Sequence, residues 1–235
     1  MALSPVASGR SGRGMPRPYE VEVAVRVEKH RVWDALTKPD QIAQWFGWDA
    51  PTLEDEIRFI FVEHSVPDPE NFRLNSKEDE QGGMYLEVAE SGGNSVVRAV
   101  QPGEEAAENS DPMEEGWIAF LHQLKRYVEE HDGDHRRTLH LTGAGPAREI
   151  AEAAKGRLPG EDWYSGTYTR VIATGDFGPG LGVLYTVAPL DSGEEENAAL
   201  TLSTWGLSDQ EFFEVTSDWL GWWQGLVEGG EAVVN

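Results

Sequence analysis

The sequence contains no cysteine. That excludes disulfides, a thiolate zinc site and a cysteine nucleophile, and it suits a cytoplasmic protein. Basic residues are scarce: 19 Lys and Arg stand against 42 Asp and Glu, a net charge of −23. Such a surface repels phosphate backbones and anionic lipid, so neither nucleic acid nor membrane is expected as a partner. No stretch approaches the roughly 18 apolar residues a membrane-spanning helix requires. The first 18 residues are Gly-, Ser-, Pro- and Arg-rich with no apolar core, which reads as a flexible arm and not a secretory signal.

Aromatics, by contrast, are plentiful. Nine Trp accompany a hydrophobic fraction of 39%, more large rings than a small core consumes, and surplus rings often line cavities. The strongest pattern lies in Ser110–Gly133. Trp117, Phe120, Leu121, Leu124, Tyr127 and Val128 fall at helical spacing, with Glu114, Glu115, Gln123, Lys125, Arg126, Glu129 and Glu130 on the other side. Asp111, Pro112 and Glu114 form an N-cap, a first-turn proline and a capping box, and Gly133 is placed to stop the helix.

Before this helix, Tyr19–Glu28 alternates with Val21, Val23, Val25 and Val27 on one face, as a half-buried strand does. His30–Thr37 and Pro39–Phe46 read as two short helices. Strands are expected at Ile57–His64, Gly83–Ala89 and Asn94–Val100, with polar breaks at Glu54–Glu56 and Lys77–Gln81 and an acidic loop at Gln101–Asn109. After Gly133 the order recurs: strand Arg137–Thr142, helix Pro146–Leu158, strands Trp163–Thr174, Gly182–Pro189 and Ala198–Trp205, then helix Ser208–Glu228 behind the capping box of Ser208 and Glu211. Gly116-Trp117 with Leu121 is echoed by Gly221-Trp222 with Leu226. The expected layout is an arm at 1–18, a first domain at 19–133 and a second, degenerate one at 134–235.

Two motifs carry less than they suggest. Gly175–Gly182 lacks the Lys-Ser/Thr ending of a phosphate loop and runs into a strand, so a hairpin or cavity lid is expected. His131 to His135 clusters imidazoles and carboxylates in one turn, where a zinc site would draw ligands from separated segments. No metal and no cofactor is expected.

The segment VEVAVRVEKHRVWDALTKPDQIAQWFGW, closed by EEGWIAFLHQLKRYVEEH, resembles the START/Bet v 1-like (SRPBCC) superfamily, in particular the branch named after the activator of the heat-shock protein 90 ATPase. The resemblance rests on Val32, Trp33, Ala35, Leu36, Thr37, Pro39, Ile42, Trp45 and Phe46, then on Gly116, Trp117, Leu121, Leu124 and Tyr127. It covers roughly residues 19–131. It implies an α+β fold of two tandem helix-grip units, each an antiparallel curved sheet packed on a long C-terminal helix with a cavity between them. It also implies a binding protein for an elongated hydrophobic small molecule of polyketide or polyene type, in antibiotic biosynthesis or self-resistance. The same superfamily supplies polyketide cyclases and aromatases, and the branch's name adds a co-chaperone.

Candidate ligand-binding residues are Trp33, Trp45, Phe46, Trp48, Trp117 and Phe120 in the first half. In the second they are Tyr164, Tyr168, Tyr185, Trp205, Trp219, Trp222 and Trp223. Polar residues on cavity-facing strands, Arg58, His64, Arg98, Tyr168, Arg170 and Tyr185, are candidates to orient a ligand. No catalytic residue can be assigned from spacing, because such sites are defined by geometry. If the two aromatic faces open toward each other, one long cavity serves both halves.

Overall fold

A computed structural model describes residues 18–77, 83–102, 112–175 and 180–234. The N-terminal arm, the Asp111 cap and most of the polar break after Lys77, of the 101–109 loop and of the 175–182 hairpin lie outside the described residues. The chain divides into two compact units. One comprises 18–46 and Thr52–Asp132, the other Gly47–Pro51 and Gly133–Asn235. Each is an antiparallel sheet with a long helix, the α+β helix-grip arrangement.

In the first unit, β1 (Tyr19–Val25) keeps strict alternation, with Tyr19, Val21, Val23 and Val25 inward. The short helices α1 (Lys29–Thr37) and α2 (Pro39–Ile42) follow. Pro39 starts the second because its missing N–H costs nothing in a first turn. Leu53–Ile57 is helical (α3) and runs straight into a π-helix at Arg58–Glu63, where a strand was expected. The apolar run IRFIFV resembles a strand, but Glu54, Asp55 and Glu56 fill the first turn ahead of it, and acidic charge there favours a helix. Two strands escape the sequence pattern: β2 (Ser65–Asp68) and β3 (Arg73–Ser76). With β4 (Tyr85–Ser91) and β5 (Asn94–Gln101) they complete the sheet order β1-β5-β4-β3-β2.

Helix α4 (Pro112–Glu130) packs along β1, burying Trp117, Leu121, Leu124, Tyr127 and Val128. Glu115, Gln123 and Arg126 on its other side are buried as well, Arg126 paired with Glu130 at 2.7 Å. Glu129 takes a two-pronged guanidinium bond from Arg26 at 2.7 and 3.0 Å, fastening the helix end to the end of β1. Gly133 has φ +90°, which a side chain rarely adopts, and turns the chain three residues beyond the helix.

In the second unit the sheet order is β11-β6-β10-β9-β8-β7. Its strands are β6 (Arg136–Pro146), β7 (Gly160–Ser165), β8 (Thr169–Thr174), β9 (Leu181–Thr186), β10 (Glu195–Trp205) and β11 (Glu228–Val234). Trp163–Thr174, expected as one strand, is the β7–β8 hairpin, turned at Gly166 where a Cβ would collide with the Tyr164 ring. Helices α5 (Ala147–Arg157) and α6 (Asp209–Leu226) cover one sheet face. Leu139, Leu141, Leu200 and Leu202 of the sheet meet Ile150, Ala154, Trp219 and Trp223 there. Gly182 makes room for the end of α5, since a Cβ would lie 2.6 Å from Leu158 Cδ1.

The capping box of α6 is formed. Ser208 Oγ accepts from the Glu211 N–H, and Glu211 Oε2 accepts from the Ser208 N–H at 2.8 Å. The Ser208 hydroxyl and then its backbone hold the Glu211 carboxylate below its ordinary pKa. Replacing Ser208 with Ala should cost about 0.5–2 kcal/mol of stability in urea unfolding. No change in midpoint would mean the cap adds nothing. Among the described residues, no helix is long and apolar enough to cross a membrane.

Candidate functional site

The π-helix builds one wall of a cavity in the first unit. A π-helix bonds each N–H five residues back, and here the His64 N–H reaches the Phe59 carbonyl at 2.9 Å. Side chains add bonds to the carbonyls at its end. His64 Nδ1 donates to the Phe59 carbonyl at 3.0 Å, Ser65 Oγ donates to that of Ile60 at 2.5 Å, and Lys77 Nζ to that of Glu63. Phe59 and the His64 ring lie against each other, centroids 3.8 Å apart.

Phe59, Ile60 and Phe61 face the sheet residues Leu74, Met84 and Leu86, and Met113 and Trp117 of α4 complete the lining of a partly open cavity. The polar lining consists of His64, Ser65, Ser76 and Gln101. The volume is about 340 Å³, within the range of small-molecule sites. Behind the wall the rings continue, edge to face except for the tilted Phe46–Phe120 pair. Phe61 meets Phe46 at 4.9 Å and Trp45 at 5.9 Å, Phe46 meets Phe120 at 4.7 Å, and Phe120 meets Trp117 at 5.8 Å. Such contacts fix ring orientation as well as adding stability.

The sequence candidates therefore take different stations. Trp117 lines the cavity, while Trp45, Phe46 and Phe120 back it. Trp45 is fully buried and donates its indole N–H to the Ala35 carbonyl at 2.8 Å. Trp33, half-buried, sits edge-on to Phe72 at 5.8 Å. Of the polar candidates, His64 lines the cavity; Arg98 pairs with Glu20, Glu22 and Glu87 on the sheet, and Arg58 with Asp55 and Glu63.

Phe59, Ile60, Met84 and Met113 were not anticipated. The acidic turn at Glu54–Glu56 was the signal for the helix that carries the first two.

In the second unit, Trp219 and Trp223 belong to the core, and Trp223 donates its N–H to the Thr142 carbonyl at 2.9 Å. Trp222 is half-buried beneath the Arg157 guanidinium, 5.2 Å from its ring. Trp205 is buried opposite Arg136 in the β6–β10 pair. Tyr164, Tyr168 and Tyr185 are half-buried, Tyr185 opposite Thr169, and Arg170 lies 3.7 Å from Asp162. Trp48 belongs to this unit and stacks flat on His140, centroids 4.1 Å apart at 8°.

His140 Nδ1 lies 2.8 Å from Thr201 Oγ1, and burial lowers its pKa to about 4, so it is neutral at pH 7. Beside it Asp49 and Thr138 exchange two 2.7 Å bonds. Arg136, fully buried, donates to the Gly47 carbonyl at 3.1 Å and lies 3.9 Å from Asp49. Burial lowers its pKa to about 10 while Asp49 opposes the shift, leaving it charged.

No protein-family model matches the chain, and neither does any curated protein. Several solved structures are similar to it in fold. DynU16, a protein in the dynemicin biosynthetic locus, is 18% identical, with 88% of this chain and 95% of that one covered and a TM-score of 0.34. The di-domain ARO/CYC StfQ from the steffimycin biosynthetic pathway is 10% identical over 79% and 84%, with a TM-score of 0.34. The di-domain ARO/CYC BexL from the BE-7585A biosynthetic pathway is 13% identical over 86% and 94%, with a TM-score of 0.33.

Proposed function

We propose that this protein binds an elongated hydrophobic small molecule, of polyketide or polyene type, in the cavity of its first unit. The observation that carries the reading is the cavity itself: about 340 Å³, walled by aromatic, aliphatic and Met side chains with a few polar groups. Those are the proportions of a ligand pocket, in which apolar surface supplies affinity and sparse polar groups set orientation. Met84 and Met113 add adaptable walls, since an unbranched thioether reshapes at little cost. Placed in antibiotic biosynthesis or self-resistance, such a protein would hold a poorly soluble product away from water.

A second reading, an enzyme of cyclase or aromatase type, is favoured by one observation: a histidine, His64, stands in the lining. A positioned imidazole is a competent acid or base.

The test of the binding reading is a titration with diphenylhexatriene, an uncharged polyene that fluoresces when removed from water. A saturable rise with one probe per chain is the expected result. A response that never saturates, or none, would remove the proposal.

A further inference from the structure

Resting on that binding reading, we infer that the ligand is an uncharged aromatic or conjugated molecule bearing a hydroxyl donor, a phenol or enol, and not a carboxylate or phosphate. The Phe59 carbonyl can only accept, so the 3.0 Å contact places the imidazole proton of His64 on Nδ1. In the neutral ring Nε2 then carries a lone pair and accepts. The hydroxyl proton of Ser65 is engaged by the Ile60 carbonyl at 2.5 Å, which leaves oxygen lone pairs. Gln101 directs one amide N–H to the Pro102 carbonyl at 3.3 Å and keeps its amide oxygen and a second N–H. All three line the cavity, and all three keep an acceptor.

Charge excludes the alternative head groups. Among the described lining residues there is no Lys or Arg. The chain as a whole carries a net charge of −23. A buried carboxylate or phosphate needs a cationic or multiply donating partner, and an unpaired one is strongly penalised. A phenol needs a single acceptor, which the imidazole supplies.

The experiment is equilibrium dialysis of the full chain against naphthalene, naphthol and naphthoate, which share a ring system and differ in one substituent. Naphthol should bind about five- to tenfold more tightly than naphthalene, the gain of one hydrogen bond. Naphthoate should bind least. In His64→Phe the ratio of naphthol to naphthalene affinity should fall to about one, and in His64→Gln, which restores an acceptor, part of that ratio should return. Naphthol binding no better than naphthalene, or naphthoate binding best, overturns the inference and leaves the binding reading intact. Failure of all three probes overturns both.

Discussion

Replacing Trp223 with Ala is expected to destabilise the second unit by about 3–5 kcal/mol, the cost of removing a large buried aromatic and leaving a cavity. Trp223 has no exposed surface, packs with Leu139, Leu141, Leu200 and Trp219, and fixes its indole N–H on the Thr142 carbonyl. The substitution also orphans that carbonyl at the helix–sheet contact. Trp222, one residue earlier and half-buried, rests on Trp219 at 5.2 Å and beneath Arg157. Its replacement with Ala should cost about 1 kcal/mol, as for a partly exposed residue. Urea unfolding followed by far-ultraviolet circular dichroism separates the two. Equal losses would contradict the division between core and surface on α6.

A comparable effect is expected from acid. His140 is buried under Trp48, and burial holds its folded pKa at about 4 against about 6.5 unfolded. Well above pH 6.5 both states are neutral and this group adds no pH dependence. As pH falls from 6.5 toward 4 the unfolded chain takes up a proton that the folded chain refuses, so stability drops. The loss reaches about 3 kcal/mol below pH 4, of which about 2 kcal/mol is lost between pH 7 and pH 5. At pH 5 most carboxylates remain ionised, so the histidine dominates that interval. His140→Phe keeps the stack on Trp48 and has no proton to gain. The wild type should therefore lose about 2 kcal/mol relative to the variant over that interval, and parallel pH curves would contradict the buried, neutral histidine.

The long helices and β1 were legible because one period dominates each. Trp117, Leu121, Leu124 and Val128 repeat at helical spacing, and four valines alternate after Tyr19. The capping box at Ser208 was legible for a similar reason: it is a local arrangement of two residues. Arg58–Glu63 was not. Its apolar residues are nearly continuous, a pattern compatible with strand or buried helix, and the π-helical turn has no period the sequence could display. That misreading hid the cavity wall, because Phe59 and Ile60 acquire their places only through that turn. The edge strand β11 was concealed by Gly229 and Gly230, which look like breakers and instead lie at a register shift against β6. The tryptophans were conspicuous in the sequence, yet a ring in a core and a ring on a cavity wall obey the same helical spacing. Trp117 and Trp223 are told apart only by what packs against them.

The measurement that most directly tests the binding account is a paired diphenylhexatriene titration of two single-charge variants. Met113→Asp puts a carboxylate in the cavity lining at a helix N-terminal turn, where a negative charge is favourable and folding is spared. Phe213→Asp puts the same charge at a side chain 65% exposed on α6 of the other unit. With the ligand seated in the first-unit cavity, Met113→Asp should weaken binding at least about tenfold, the cost of a charge against an apolar probe, and Phe213→Asp should match the wild type. Unchanged affinity in Met113→Asp, or equal losses in both, would contradict the account.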